Sequence, residues 1–248
     1  MTLKDELRRQ GDWLFRWRSY IPIIVLPILL IALRHSEALE RMVGNGANAA
    51  WEAFCLVVAL SGLGLRFFTA GFVPAGTSGR NTTRQQAAAL NTTGMYSVVR
   101  HPLYLGNFLV MLGIAAFIQV WWFILICSSA FWLYYERIMY AEEAFLERKF
   151  GDEFREWAAR TPTFWPRRRN WRPSPLPFSW RTAARREFHG FFLITTAFPL
   201  LDALGDRLGE GHWEVDAIWV IAFALGLVTY VTMVALKRRS QLLDVPGR

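Results

Sequence analysis

Long apolar stretches dominate the pattern of hydrophobic and polar positions along the 248-residue chain. Six of them are long enough, or nearly so, to cross about 30 Å of hydrocarbon as helices. They are Tyr20–Leu33, Ala49–Phe68, Leu103–Gln119, Trp121–Tyr140, Phe188–Leu204 and Val215–Leu236. The third and fourth are almost contiguous and predict a helical hairpin that turns near Gln119 and Val120. Because no run of alternating polar and apolar residues predicts a sheet, we expect an all-α integral membrane protein with about six transmembrane helices.

The polar segments between these stretches predict four further features. Residues 1–19 mix charges with Leu, Trp and Phe, which favours an interfacial helix or a plain charged flank. Residues 70–94 predict a polar loop with a short helix at Arg84–Leu90. Residues 141–160 continue the fourth span as an amphipathic helix. The five prolines between positions 162 and 177 then predict an extended, aromatic-rich arm.

Charge and composition restrict the class of protein. The chain is 53% hydrophobic with a mean hydropathy of +0.20, and its 28 Lys and Arg exceed its 20 Asp and Glu. If both termini are cytoplasmic, every basic cluster falls on the cytoplasmic side and the acidic 202–216 loop faces out. We therefore expect an integral protein of a bacterial-type inner membrane whose basic residues meet an anionic membrane surface, not nucleic acid. The two cysteines, Cys55 and Cys127, lie in predicted spans, so we expect neither disulfides nor a metal site.

The stretch "SVVRHPLYLGNF" places polar residues at the mouth of the third span. Pro102 suits the first turn of a helix, so His101 lies at the helix entrance among backbone N–H groups without intrahelical partners. Arg100 is able to pair with a carboxylate or phosphate, and Gly106 allows another group to approach closely one turn deeper. The alternative is an ordinary span boundary, with a snorkelling Arg, a capping His and an interfacial Tyr104.

Two adjacent carboxylates follow the fourth span. Glu142 and Glu143 lie at the level where the third span begins with His101, and the hairpin makes the two spans neighbours. Adjacent helical positions point about 100° apart, so we expect only one carboxylate to face His101 while the other caps or is solvated. A carboxylate at this place suits an ammonium group, although a solvated polar face is the alternative.

These residues together resemble a known family. The ordered segments "TTGMYSVVRHPLYLGN", "EEAFLERKFGDEFREW" and "TPTFWP" resemble the signature of the isoprenylcysteine carboxyl methyltransferase and phospholipid methyltransferase superfamily. The likeness covers about residues 91–166 and leaves residues 187–248 outside it. It implies an integral-membrane enzyme that uses S-adenosyl-L-methionine and has no Rossmann domain. We accordingly divide the chain into an N-terminal region, 1–90, a methyltransferase motif region, 91–170, and a C-terminal region, 171–248.

The resemblance also implies a cofactor pocket. Carried over by position, the residues that line or shape this pocket are Tyr96, Arg100, His101, Tyr104, Leu105 and Gly106. Glu142 or Glu143 would bind the methionine ammonium group. The arm near Pro162–Pro166 would fold back over the pocket as a lid.

Departures from the family pattern bear on the methyl acceptor. Phe154 and Trp157 stand where tyrosines are usual, and Thr163 stands where the family often has an Arg that helps to hold a carboxylate. A planar guanidinium binds carboxylate or phosphate equally well, so other arginines of this region are candidates, unless their charges only set topology. The candidates are Arg160, Arg167, Arg168 and Arg169. Methyl transfer needs an aligned nucleophile and exclusion of water, and the sequence singles out no general base.

The sequence thus predicts a methyltransferase that acts on a lipid or isoprenoid-linked acceptor at the cytoplasmic membrane face, with a carboxylate, phosphate or amine headgroup. One alternative is an NADPH-dependent membrane reductase of the sterol or steroid type, which shares R-H-P-x-Y but usually carries Asn where Leu103 stands. Another is a non-catalytic lipid-binding protein. We expect the last two spans to wall the lipid entrance or to support a homodimer contact.

Overall fold

The regular secondary structure of the described residues is entirely helical. The computed structural model describes residues 2–17, 21–35, 45–77, 87–209, 211, 213 and 215–248. Over these ranges it contains no β-strand, only an isolated bridge between Gly94 and Arg172. The α-helices are α1 Leu3–Trp17, α2 Leu26–Leu33, α3 Asn45–Gly71, α4 Met95–Val98, α5 Pro102–Phe117, α6 Trp121–Phe150, α7 Asp152–Arg160, α8 Trp180–Gly209 and α9 Ala217–Arg239. Short 3-10 helices at Ile21–Val25 and Arg168–Asn170 precede α2 and follow α7. The all-α prediction is confirmed.

Helices occupy all six predicted spans, although they differ in length. Within the described residues, three are long and apolar enough to cross a membrane, over Gly46–Phe72, Trp180–Leu208 and Ala217–Arg239. The first and third predicted spans correspond to the shorter apolar helices Ile23–Leu33 and Pro102–Phe117. The fourth lies inside the 30-residue helix α6. These lengths and compositions are those of an integral membrane protein.

The predicted hairpin turn lies between α5 and α6. Only three residues, 118–120, separate the two helices. Gln119 adopts a φ of 62°, in the left-handed region that few residues other than Gly enter. This conformation reverses the chain within one turn and brings the start of α5 beside the far end of α6.

Glycines let α3 and α5 approach closely. A Cβ at Gly62 would lie 2.5 Å from the carbonyl oxygen of Gly106, and one at Gly113 would lie 2.6 Å from the carbonyl oxygen of Cys55. Small residues at such crossings allow two helix backbones to pack directly. The interpretation of Gly62 as a packing residue is confirmed, whereas a Cβ at Gly64 would meet open space.

The two C-terminal helices are part of the same bundle. Helix α8 packs against both α3 and α9. Phe198 of α8 and Trp219 of α9 stack with centroids 5.4 Å apart, and Phe117 of α5 packs edge-on against both rings. Phe198 is fully buried. The region outside the family resemblance therefore shares a core with the region inside it.

The polar helix after the fourth span is broken, which corrects the prediction of a continuous helix over 141–160. Helix α6 does extend past the predicted span, but it ends at Gly151, whose φ of +55° favours glycine and interrupts the helix. Helix α7 then starts in a new direction and buries Phe154 and Trp157. The indole N–H of Trp157 donates to the carbonyl oxygen of Tyr96 at 2.9 Å, so α7 is fixed against α4.

The proline-rich arm is extended, as predicted. Between α7 and α8 the described chain contains only the short 3-10 helix. Its backbone bonds to the segment before α5: the Arg100 N–H donates to the Pro162 carbonyl at 2.9 Å, and the Arg167 N–H donates to the Val98 carbonyl at 3.0 Å. These contacts hold the arm over the entrance of α5.

Helix α1 lies along α6. The hydroxyl of Tyr134 donates to the carbonyl oxygen of Leu14 at 3.0 Å, and the Nε–H of Arg137 donates to Gln10 Oε1 at 2.9 Å. The helical prediction for residues 1–19 is confirmed over Leu3–Trp17. Its place at a membrane interface stays a prediction.

The predicted short helix Arg84–Leu90 is only partly within the described residues. Residues 84–86 lie outside them, and residues 87–90 form no helix. The prediction is therefore wrong for the described half of this segment. The polar loop around it, as far as it is described, is irregular as predicted.

Candidate functional site

Two glutamates of α6 close on His101 at the entrance of α5. The ring Nε2 of His101 lies 2.8 Å from Glu143 Oε1, and its Nδ1 lies 3.9 Å from Glu142 Oε2. The His101 side chain is only 5% exposed. A carboxylate at hydrogen-bond distance fixes the orientation of an imidazole. The hairpin thus assembles a His–carboxylate pair from positions more than forty residues apart in the chain.

Both carboxylates face this site, which corrects the expectation that only one would. The Tyr104 hydroxyl donates to Glu142 Oε2 at 2.9 Å, and Arg100 donates to Glu143 Oε2 at 2.8 Å. The side chains of the two glutamates do diverge from the helix, but His101 lies between them and is reached from either side. The His101 and Tyr104 rings stack with their centroids 5.6 Å apart.

Arg100 connects this cluster to the arm. Its guanidinium donates to Glu143 and to the hydroxyl of Thr163, and its backbone bonds to Pro162. The buried Nε–H of Arg100 has no hydrogen-bond partner within the described part of the chain. Thr163, where the family often has Arg, therefore serves here as an acceptor for Arg100.

A second polar network leads from the site to α8. Tyr104 packs on Tyr135 with centroids 4.9 Å apart, and the Tyr135 hydroxyl accepts a bond from Asn107 Nδ2 at 3.2 Å. Asn107 Oδ1 in turn accepts from Arg66 at 2.6 Å. Arg66 forms a bidentate ion pair with Glu187, with N–O distances of 2.7 and 2.9 Å. Sequence reasoning missed this network, although a lone Arg inside an apolar span, as in "SGLGLR", is a functional signal.

A cavity of about 750 Å³ opens beside these side chains. This is a size typical of cofactor and ligand sites. Five of the predicted pocket residues line it: Tyr96, Arg100, His101, Tyr104 and Glu142. The pKa of Tyr96 is raised because its hydroxyl is shielded from water, and the negative charge of Glu142 adds to this effect, whereas the positive charges of Arg186 and Arg66 oppose it.

Other predicted residues lie elsewhere. Leu105 and Gly106 are absent from the cavity wall, and a Cβ at Gly106 would lie 2.5 Å from Cγ of Arg66. The close approach expected at Gly106 is thus made by α3. Glu143 stands beside His101 and Arg100 without lining the cavity.

The predicted anion-binding arginines also lie outside the cavity. Arg160 ends α7 and Arg167 and Arg168 follow in the arm, and all three are exposed. The backbone bonds between the arm and the segment before α5 hold these side chains toward the exterior. The interpretation from sequence therefore selected cations that do not face this cavity.

The C-terminal region supplies cations that do face it. Arg185 and Arg186 of α8, Lys237 of α9 and Arg248 line the cavity. The sequence displayed a run of arginines before the fifth span, but nothing in it distinguished those facing inward from those facing outward. Only the packing of α8 against α3 makes that distinction.

Comparison with known proteins identifies the family. Residues 55–153 match the phospholipid methyltransferase family model. The nickel-cobalt-cadmium resistance protein NccN of Alcaligenes xylosoxydans xylosoxydans is 34% identical over 158 residues, which cover 63% of this chain and 68% of that protein. The cobalt-zinc-cadmium resistance protein CzcN of Cupriavidus metallidurans is 34% identical over 122 residues, 47% of this chain and 56% of that protein. The protein-S-isoprenylcysteine O-methyltransferase of Schizosaccharomyces pombe is 31% identical over 80 residues, 32% of this chain and 34% of that protein.

No solved structure shows significant similarity to the chain. Within the described residues no group of three His, Cys, Asp or Glu side chains is placed to hold a metal ion. The family match contains His101 and both glutamates of α6, so the assembled cluster and the comparisons concern the same segment. The chain therefore belongs to the isoprenylcysteine carboxyl methyltransferase and phospholipid methyltransferase superfamily of membrane methyltransferases.

Proposed function

We propose that the cavity binds S-adenosyl-L-methionine and that the chain methylates a lipid or isoprenoid-linked acceptor. The observation that carries this proposal is the Glu142–Tyr104 pair, which lines the cavity at the end of apolar helices. A water-soluble methyl donor and a membrane-dissolved acceptor meet at such a place. The basic residues near the site favour the cytoplasmic face of an inner membrane.

The residues of the cavity fit such a cofactor. The Glu142 side chain is 34% exposed, and a carboxylate oxygen accepts more bonds than the one from Tyr104, so it suits an ammonium group. Arg100 lines the same cavity and suits the adjoining carboxylate of an amino acid. The rings of Tyr96, Tyr104 and Tyr135 line the same cavity, and aromatic faces attract a ligand cation such as a sulfonium.

The bound cofactor, held by Glu142 and Arg100, would supply an activated methyl group on a sulfonium, whose sulfur would keep the electron pair of the S–C bond when the acceptor took the methyl. The chain's part is to align the acceptor and to exclude water. Phe164 of the arm is buried against Trp132 and Phe108, with ring centroids 4.0 and 6.1 Å away. This packing closes the region between α5, α6 and the arm. A carboxylate or phosphate acceptor needs no general base, and we assign none.

Calorimetric titration of the full chain in detergent with S-adenosylhomocysteine tests the cofactor assignment. The variant Glu142→Gln removes the charge but keeps an acceptor for Tyr104, and we expect it to weaken binding by about 10- to 100-fold, since a hydrogen bond to a charged group contributes about 1.5–3 kcal/mol. The matched control is Glu147→Gln, on the same helix but exposed and outside the cavity. It should bind like the unmodified chain.

The same preparation discriminates the other functions. Failure of S-adenosylhomocysteine to bind, together with binding of NADPH, would replace methyl transfer by reduction. Binding of neither, with lipid binding retained, would favour a non-catalytic protein. An equal loss of affinity in both Glu variants would contradict the role assigned to Glu142.

A further inference from the structure

The buried ion pair between Arg66 and Glu187 forms part of the cavity wall. Both residues line the cavity, and their side chains are 19% and 5% exposed. Arg66 lies within residues 55–153, the segment that matches the family, whereas Glu187 lies outside that segment. The C-terminal region therefore supplies the carboxylate that balances an arginine of the family segment.

Positive charge prevails along the cavity wall. Among the described residues that line it, two are carboxylates, Glu142 and Glu187. The described cations of the wall are Arg66, Arg100, Arg185, Arg186, Lys237 and Arg248. A surface of one sign repels a ligand of the same sign, so the charge that each carboxylate presents to the cavity bears on the binding of a cationic ligand.

Glu187 holds Arg66 in one orientation. Two guanidinium N–H groups donate to the Glu187 oxygens at 2.7 and 2.9 Å, and a third donates to Asn107 Oδ1 at 2.6 Å. A planar guanidinium that is bound by both oxygens of one carboxylate has a defined geometry. Gly106 makes room for the Arg66 side chain, since a Cβ there would lie 2.5 Å from its Cγ. The absence of a side chain at this motif glycine thus allows Arg66 to reach Glu187.

The charges of Arg66 and Glu142 act at the same part of the cavity. Both influence the Tyr96 hydroxyl, with opposite effects on its pKa. Glu187 is in direct contact with Arg66, and two opposite charges in contact largely cancel each other's field at a distance. Without the Glu187 carboxylate, the charge of Arg66 would instead offset that of Glu142 and oppose a cation in the cavity.

We propose that Glu187 is a positioning residue of the proposed cofactor site, which fixes and neutralises Arg66 and so leaves the charge of Glu142 to a cationic ligand. This inference rests on the proposed function, since it concerns the same site. Glu187 acts through Arg66. The inference predicts that removing the Glu187 charge changes the preference of the cavity between a charged and a neutral ligand of nearly the same shape.

Two cofactor forms provide such a pair of ligands. S-adenosyl-L-methionine carries a sulfonium besides its ammonium and carboxylate groups, so its net charge is positive. S-adenosylhomocysteine lacks the sulfonium methyl group, and its ammonium and carboxylate charges balance. The ratio of the two affinities therefore reports the charge of the cavity. A smaller folded fraction lowers both apparent affinities alike and leaves this ratio unchanged.

The test is calorimetric titration of the full chain in neutral detergent with each of the two ligands. Glu187→Gln should shift the ratio of affinities against S-adenosyl-L-methionine by at least about threefold, because an unbalanced Arg66 opposes the charged ligand more than the neutral one. The matched control is Glu147→Gln, at an exposed position outside the cavity. It should change the ratio less than about twofold.

Two variants of Arg66 separate charge from packing. Arg66→Met removes the cation and leaves the Glu187 carboxylate, so the ratio should shift in the opposite direction, toward S-adenosyl-L-methionine. This variant tests the inference even when Glu187→Gln does not fold. The double variant Arg66→Met, Glu187→Leu removes both charges. Its ratio should return to within about twofold of that of the unmodified chain, whatever happens to the two affinities themselves.

Equal losses of affinity for both ligands in Glu187→Gln would overturn the inference, because the ion pair would then serve packing alone. A shift of the ratio in the same direction in Glu187→Gln and Arg66→Met would overturn it as well. Failure of the unmodified chain to bind either ligand would overturn the proposed function and this inference with it. Binding of both ligands with a ratio that no Glu187 or Arg66 variant changes would overturn the inference alone.

Discussion

The buried ion pair between Arg66 and Glu187 provides the sharpest test of how the helices are held together. It joins α3 to α8, and the two side chains are 19% and 5% exposed. We consider the variant Glu187→Gln, which preserves the shape and one acceptor oxygen but removes the negative charge. Arg66 then keeps its bond to Asn107 but retains a cation without a balancing carboxylate.

The expected magnitude follows from this geometry. Removing one partner of a buried pair costs about 3–5 kcal/mol, because an uncompensated charge is left behind. The glutamine oxygen still accepts from Arg66, and Arg66 is 19% exposed, so we expect a loss near the lower limit, about 3 kcal/mol. The double variant Arg66→Met, Glu187→Leu removes both charges. Its loss of unfolding free energy should therefore be smaller than the sum of the losses measured for Arg66→Met alone and Glu187→Leu alone.

The free energy of unfolding is measured by denaturant titration of the purified chain in mixed micelles. Arg155→Gln serves as the matched control, because Arg155 also pairs with carboxylates but is 57% exposed. Its loss should stay below about 1 kcal/mol. The reasoning would be refuted if Glu187→Gln cost no more than Arg155→Gln, or if the double variant lost the full sum.

Three further predictions concern packing, the arm and pH. Gly62→Ala should lower the apparent melting temperature, because its Cβ would lie 2.5 Å from a carbonyl oxygen of α5. Gly64→Ala should leave the melting temperature unchanged or raise it. A lower melting temperature for Gly64→Ala than for Gly62→Ala would contradict the close packing of α3 on α5. Phe164→Ala should expose the arm to trypsin at least about 100-fold faster, since truncating a buried aromatic costs about 3–5 kcal/mol. Trp165→Ala, at an 81% exposed site, should not. The pKa of Tyr96 is raised above its ordinary value of 10.0 in the folded chain. The unfolded chain therefore loses the Tyr96 proton first as pH rises above 10, and the folded state is destabilised. Tyr96→Phe should lessen this loss of stability above pH 10, and an unchanged pH profile would contradict the shift.

Much of the fold could be predicted because apolar length and helix periodicity act locally. The hairpin between α5 and α6 follows from two apolar runs with almost nothing between them. The break at Gly151 could not be placed, because the amphipathic pattern continues across it and only the backbone conformation of one residue ends the helix. The proline-rich arm was predictable as an extended segment, but its bonds to Val98 and Arg100 are tertiary contacts.

Part of the candidate site could likewise be predicted from the sequence, and part could not. His101 and Glu142 could be paired from sequence because the hairpin fixes which helix ends are neighbours. That both glutamates reach His101 depends on where the imidazole lies between them, which helical periodicity does not determine. That Arg186 and Lys237 line the cavity could not be predicted, since only the packing of the C-terminal helices places them there.

The Arg66–Glu187 pair also connects the C-terminal helix α8 to the side chains around Glu142. Glu187 lies in the second turn of α8, so any movement of this turn carries its carboxylate. Because Arg66 bonds Glu187 on one side and Asn107 on the other, such a movement either strains the ion pair or displaces Asn107 and its partner Tyr135. Tyr135 lies against Tyr104, which donates to Glu142. A continuous set of contacts thus runs from α8 through α3 and α5 to Glu142 of α6, so we expect a shift of α8 to change the geometry of the proposed cofactor site.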